Sequence, residues 1–220
     1  MLDKPHYAGH RKRLRDRFLK SGSSALPDYE MLELVLFMAQ PRGDVKPVAK
    51  SLLKQFGSYA GVITAEEKEL KKIAGLGDVA VAALKIIRDA AIRLSQDEIT
   101  GQPVLSSWQA LLDYCRSAMG REQKEQFRIF FLNRKNVLIA DELQQVGTVD
   151  HTPVYPREVV KRALDLGATA IIMAHNHPSG DPTPSKGDIA MTQEVKEAGS
   201  KLGISVHDHV IVSRNGTSSF

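Results

Sequence analysis

Cysteine is almost missing from this sequence: Cys115 is the only thiol among 220 residues. An internal disulfide is therefore excluded, and the usage fits a reducing compartment, the cytoplasm. Far in sequence from other chemistry-bearing groups, Cys115 is expected to be a small buried hydrophobe. Long apolar runs are missing too, and none approaches the ~18 residues of a membrane span. The opening segment MLDKPHYAGHRKRLRDR carries charge where a secretory leader has its apolar core. Internal repeats and low-complexity tracts are absent. Aromatic content is only 6%, but 42% hydrophobic residues are ordinary for a soluble globular protein of one large or two small domains.

What is present is a dense block of polar chemistry, His175-Asn176-His177-Pro178, followed by Pro184-Ser185-Lys186-Gly187-Asp188. Upstream, Ala168 to Ala174 is a short apolar run of β-formers, which predicts a buried strand delivering the histidines at its C-terminal end. Residues i and i+2 of a strand share a face, so both rings can reach one ion. Pro178, Gly180, Pro182 and Pro184 then form a stiff loop, and a helical pattern opens at Ser185 with Ile189, Val195 and Leu202 among its apolar positions. Asp188 falls in the first helical turn, within reach as a third ligand. Two histidines and a carboxylate with an open position are the donor set of a catalytic zinc centre, although such a set also suits iron.

A hydrolase of that kind needs a base for its water and a donor for the oxyanion. Ser185 is placed for the second task. Ser185 and Asp188 also spell S-x-x-D, a capping-box-like helix start that alone would explain both residues. The base must come from elsewhere, and Val137 to Thr148 (VLIADELQQVGT) offers two adjacent carboxylates after a strand-like run. Neighbouring strand residues face opposite ways, so only one of Asp141 and Glu142 can point into the site. A second H-x-H, His207-Asp208-His209, lacks a following acid at ligand spacing, which favours a structural or supporting role.

His175-x-His177, seven residues, and Ser185-x-x-Asp188 resemble the JAMM motif of the JAB/MPN metalloprotease fold. The blocks Gly147-Thr148-Val149-Asp150, Tyr155-Pro156-Arg157-Glu158-Val159-Val160 and HNHPSGDPTPS resemble, more narrowly, the RadC family, over nearly the whole chain. The resemblance implies a cytidine-deaminase-like mixed sheet layered with helices. It also implies a Zn2+ ion on His175, His177 and Asp188, Glu142 as the water-activating acid/base, and Ser185 as the oxyanion-side donor. Relatives with the motif cleave peptide or isopeptide bonds, so a peptide or isopeptide substrate is the implied partner. They usually run slightly beyond the equivalent of Asn215–Phe220, which implies a shortened last strand or tail.

The first part of the chain, residues 1–95, reads as all-helical. Asp28 is a good N-cap for an apolar helix over Met31–Met38, and Val48–Phe56 gives another, ended by Gly57. Leu70 to Leu84 then resembles a helix-hairpin-helix, in which Gly75 and Gly77 would let helix amides point at a phosphate. The same hairpin also serves as a plain packing unit, and Asp78 places an acid at the would-be phosphate position. Lys and Arg total 30 against 26 Asp and Glu, and the excess is uneven. Arg11, Lys12, Arg13, Arg15, Arg17 and Lys20 crowd the first segment, a basic arm able to neutralise phosphates, although charge runs are more often solvated helix faces.

The polar stretch Ser95–Gln102 reads as a linker, followed by an α/β domain over 103–220. That domain is expected to hold a helix over Ser107–Met119, strands at Phe127–Leu132 and Val137–Ala140, a helix over Pro156–Leu166, and a strand at Ile204–Val212. The leading expectation is a zinc hydrolase. The alternative is a DNA-binding accessory protein, in repair or recombination, with a structural metal. Elemental analysis of tag-free protein tests the centre first: about one zinc per wild-type chain, lost in His175→Ala, is the expected result, and no metal in either protein would sink the hydrolase reading.

Overall fold

The structure, a computed structural model, describes residues 9–146 and 154–220, so Gly147–Asp150 of the RadC-like pattern lies outside the described residues. The chain divides into two compact units after Ala90. No helix among the described residues is long and apolar enough to cross a membrane.

The first unit is helical: α1 (His10–Ser21), α2 (Asp28–Ala39), α3 (Lys46–Phe56), α4 (Tyr59–Thr64), α5 (Glu67–Leu70) and the larger part of α6 (Asp78–Asp97), whose last turns belong to the second unit. Leu32, Leu36, Leu52, Leu70 and Leu84 are fully buried at its centre. Asp28 does not cap its own helix. Pro27 holds the N-cap position of α2, while the Asp28 carboxylate accepts the Tyr59 amide at 2.8 Å at the start of α4. The stretch expected as a linker is helical through Asp97, and its single large apolar residue, Ile99, is fully buried against Val104 in the second unit's core.

The second unit is a mixed sheet between helices. Its elements are α7 (Trp108–Met119), β1 (Gln126–Leu132), β2 (Leu138–Val146), α8 (Pro156–Asp165), β3 (Ala170–Asn176), α9 (Lys186–Ser200), β4 (Ser205–Val212) and β5 (Thr217–Ser219). The sheet order is β2-β1-β3-β4-β5. β3 and β4 are parallel, and the other neighbours are antiparallel. β3 is buried along its whole length, which explains its unbroken apolar run AIIMA. β2 is longer than its apolar stretch suggested, because the polar tail ELQQV continues the ladder against β1.

Strand alternation sorts the two faces. Phe130, Leu132, Ile172, Ala174, Val210 and Val212 meet α7 through Leu111, Cys115 and Met119. Phe127, Ile129, Phe131, Ile171 and Met173 meet α8 and α9 through Val159, Val160, Ala163 and Val195. Cys115 is wholly buried in the first of these cores, as expected, and burial pushes its thiol pKa well up.

Alternation also separates the two candidate acids. Asp141 pairs with Phe130 and lies on the α7 face, whereas Glu142 pairs with Ile129 and lies on the α8 face. Asp141 is almost fully buried there, where Arg128 Nη1 donates to its Oδ1 at 2.6 Å and the Tyr114 hydroxyl donates to its Oδ2. Burial and the bond to Asp141 push the Tyr114 pKa well up, so the phenol stays a donor. Removing one partner of a buried pair strands the other charge. Asp141→Ala is expected to lower folding free energy by about 3–5 kcal/mol in urea titration, and Asp141→Leu with Arg128→Met to recover most of it.

Candidate metal centre

His175 is the next-to-last residue of β3, and His177 follows just beyond its end, as the apolar run predicted. Their rings converge, with His175 Nε2 2.9 Å from His177 Nε2. Asp188 completes the group: its Oδ1 lies 3.3 Å from His175 Nε2 and its Oδ2 lies 3.6 Å from His177 Nε2. Ligand atoms of the three residues lie within 4.8 Å of one another, and they form the one such cluster among the described residues.

The loop that brings Asp188 back is held at several points. Gly180 adopts φ +94°, and its carbonyl accepts the Ser213 hydroxyl at 2.9 Å. The Pro182 carbonyl accepts the hydroxyl of Ser218. At the helix start both capping expectations hold. Ser185 Oγ accepts the Asp188 amide at 3.1 Å, and Asp188 Oδ2 accepts the Ser185 amide at 2.7 Å. The cap therefore does not compete with the centre. Asp188 spends one oxygen on the helix and turns the other toward His175, and the cap leaves the Ser185 hydroxyl proton available to donate.

The tautomers follow from the surrounding carbonyls, which can only accept. Asp181 O lies 2.8 Å from His177 Nδ1, so that nitrogen carries the proton and Nε2 presents a lone pair. A chain fixes His175 in the same sense. The Thr192 hydroxyl donates to Asp188 O at 2.6 Å, leaving its oxygen to accept from His209 Nδ1 at 2.6 Å. His209 Nε2 is then an acceptor for His175 Nδ1 at 2.7 Å, and His175 Nε2 is bare. The chain requires neutral rings. Burial supplies that condition, lowering the pKa of His175 to about 4 and that of His209 to about 3. Phe127 stacks on His175 and meets His209 edge-on, closing an apolar wall around both.

Two bare imidazole nitrogens thus face each other at 2.9 Å beside a carboxylate. Burial opposes ionisation of Asp188, but the His177 imidazole beside it and hydrogen bonds from Ser185 outweigh that and hold the carboxyl well below its usual range. Three converging lone pairs repel one another unless a cation lies among them. Around a tetrahedral zinc ion, bonds of about 2.0–2.1 Å place two nitrogens about 3.3 Å apart, a few tenths of an ångström from the spacing found. The donor set fits a metal.

Glu142 is not part of this group. Arg162 of α8 grips both its oxygens, with Nε at 3.0 Å from each and Nη2 at 2.5 Å from Oε1, and this grip holds the Glu142 pKa low. In the sheet it stands opposite Ile129, which faces Met173; the His175 row runs instead through Phe127 to Gln145. Besides Asp188, the acid whose charge reaches His177 is Glu125. It precedes β1 by one residue and Phe127 by two, so the antiparallel register carries it toward His177, whose pKa its charge helps to raise. Asn176, buried between the two histidines, fixes that approach. Its Nδ2 donates to the carbonyls of Glu122 and Lys124 at 3.3 and 3.1 Å, and its Oδ1 accepts the Gln126 amide at 2.7 Å. Glu125 was missed because its place depends on pairing across 50 residues. Asn176 held the clue, since a buried amide must find partners.

His209, read from sequence as a supporting residue, bonds His175 directly, whereas His207 is exposed and bonds Asn136. In the helical unit, the Gly75–Gly77 turn forms with Gly75 at φ +83° and its carbonyl accepting Gln40 Nε2 at 2.6 Å. Asp78 at the start of α6 pairs with Lys71 at 3.2 Å. Arg11 is committed to its own unit, donating to Gly43 O at 2.8 Å with its guanidinium 4.4 Å from the Phe37 ring centroid. Arg13 lines a cleft with His10, Arg17 and Glu30.

The profile of the RadC-like JAB domain matches residues 105–220, and that of the UPF0758 N-terminal region matches residues 8–82. A UPF0758 protein of Rhodobacter capsulatus is 56% identical over 207 residues, covering 94% of this chain and 97% of the relative.

The buried imidazoles set the acid limit of the metal-free protein. Unfolded histidines take up protons below about pH 6.5, whereas His175 and His209 resist until about 4 and 3. The unfolded state therefore binds more protons in that window, and stability falls as pH drops. His177, whose pKa the neighbouring Asp188 carboxylate raises, contributes with the opposite sign, but the two more deeply buried rings outweigh it. Asp188 adds a further loss in stronger acid. Urea midpoints of chelator-treated protein are expected to decline from pH 6.5 to 4, and a flat profile would contradict the neutral-ring assignment.

Proposed function

The chain belongs to the RadC-like JAB family, and on that footing we propose that its second unit is a zinc-dependent hydrolase of peptide or isopeptide bonds. The observation that carries this reading is the pair of bare Nε2 atoms facing each other beside Asp188, a donor set with no purpose in packing. His175, His177 and Asp188 would hold the ion. When bound, zinc supplies Lewis acidity, polarising a carbonyl and lowering the pKa of water to roughly 7.

The remaining steps belong to protein groups. Glu125, beside His177, takes a proton from the attacking water as its oxygen bonds to the scissile carbonyl carbon. The Ser185 hydroxyl, whose oxygen already accepts the Asp188 amide, donates its proton to the developing oxyanion. Collapse breaks the C–N bond, and Glu125 returns its proton to the leaving amine, so one carboxyl serves as base and then acid. The stack of Phe127 on His175 and the chain through His209 and Thr192 keep the ring from turning while this happens.

In this reading Glu125 takes the role that the family resemblance assigned to Glu142, and Glu142 ties β2 to α8 through Arg162. Among the described residues, the helical unit offers no comparable donor set. Its hairpin turn is occupied by internal bonds, and Asp78 stands at the helix start where a phosphate would lie.

Parallel variants separate the two acids. Glu125→Gln is expected to keep its zinc and lose about 10²–10⁴ in kcat on an amide substrate that the wild type cleaves. Glu142→Gln is expected to stay near wild type. Full turnover by Glu125→Gln would remove it from the mechanism.

A further inference from the structure

A basic cleft opens beside the centre, on the other side of the loop that carries His177. It measures about 400 Å³ and is lined by Arg116, Arg121, Ser213, Arg214 and Asn215, with Gly120 and Gly216. No acidic residue lines it among the described residues. Arg121 and Arg214 are exposed and make no ion pair among the described residues. Arg116 has one carboxylate neighbour, Asp113, at 3.5 Å, and donates to Thr217 Oγ1 at 3.1 Å; its side chain is 45% exposed. Three guanidinium groups around one concavity repel one another and gain most from a shared anion.

The cleft is a built feature and not a chance gathering of surface arginines. Ser213 is buried, and its hydroxyl oxygen accepts the amides of Asn215 and Gly216, each at 3.2 Å, fixing the turn that presents Arg214. Gly120 lets the end of α7 close on that turn; a Cβ there would lie 2.9 Å from Arg116 O and 3.4 Å from Ser213 O. The cleft also shares a wall with the metal centre. A Cβ on Gly180, three residues after His177, would lie 2.8 Å from Asn215 Nδ2 and 3.3 Å from Arg214 Nε. The Ser213 hydroxyl that organises the turn donates to Gly180 O. A chain lying across the end of β3 would reach the cleft with one portion while another sat at the centre.

We propose that this cleft binds an acidic stretch of the substrate polypeptide, its carboxylates received by Arg121 and Arg214 with Arg116 at the rim. The proposal rests on the hydrolase reading for its orientation of the substrate, but not for the binding itself. Carboxylate and phosphate share the chemistry that a guanidinium fork recognises. A polypeptide is favoured because the arginines converge on one concavity large enough for one or two anionic groups. They do not form the extended track that a phosphate backbone needs.

The test is fluorescence anisotropy with the full chain and three labelled probes: hexaglutamate, hexalysine and a single-stranded oligothymidylate. The wild type is expected to bind hexaglutamate in preference to the others, with an affinity that weakens as salt is raised. Arg121→Gln with Arg214→Gln should weaken that binding by about tenfold or more, the loss expected for hydrogen bonds between charged partners. Arg134→Gln with Lys135→Gln removes the same charge elsewhere in the unit and should change little. His177→Ala should lose metal and keep hexaglutamate binding, so failure of the hydrolase reading and failure of the cleft give different results. Equal hexaglutamate binding by the Arg121/Arg214 variant and the wild type would overturn the proposal. So would tighter binding of the oligothymidylate that the same variant abolishes, which would make the cleft a nucleic-acid site.

Discussion

Because the Asp188 carbonyl can only accept, the Thr192 hydroxyl must donate to it, and that direction propagates through the whole centre. Thr192 then accepts from His209, His209 accepts from His175, and the Nε2 of His175 is left bare where it meets His177. The chain holds only while both buried rings are uncharged, and their burial keeps them so. Sheet packing and metal-site chemistry are therefore one constraint here. Loosening the apolar wall at Phe127 would admit water, raise the basicity of the rings and scramble the donor order.

The sheet contributes a second ordering principle, register. β1 lies between β2 and β3, and its pairing with β3 sets Phe127 opposite His175 and leads Glu125 toward His177. Asn176 fixes the approach with bonds to three backbone groups of residues 122–126. The middle residue of the H-N-H run thus does for the acid what the flanking residues would do for an ion. Adjacent residues of one strand face opposite sides of the sheet and serve both.

These mechanisms explain which parts of the molecule were legible in its sequence. His175, His177, Ser185 and Asp188 lie within 14 positions, and strand alternation plus the S-x-x-D helix start place them by local rules. Alternation also told correctly that Asp141 and Glu142 must part company, and the structure puts them on opposite faces. Alternation gives the face but not the row along the strand. Glu142 is on the same face as the histidines, yet its row ends at Met173 and its charge is taken by Arg162. Glu125 was hidden because it sits outside any strand-like apolar run. In the helical unit, Asp28 looked like a cap for the helix it begins and instead accepts the first amide of α4, a short helix capped by Ser58 whose start it meets only after the chain has folded back. Arg11 looked like part of a phosphate-binding arm, but a nearby carbonyl and an aromatic face claim it.

Asp188 ties two equilibria together. One of its oxygens closes the first turn of α9, and the other faces the bare nitrogen of His175. An ion drawing on the second oxygen also draws on the residue that starts the helix, and the helix in turn holds Thr192, the origin of the donor order. Occupancy of the site by an ion and the integrity of the helix would thus be thermodynamically linked. Whatever steadies the first turn of α9 tightens the grip on the ion, and chelation should be felt as fraying at Lys186–Gly187 before it is felt anywhere else in the sheet.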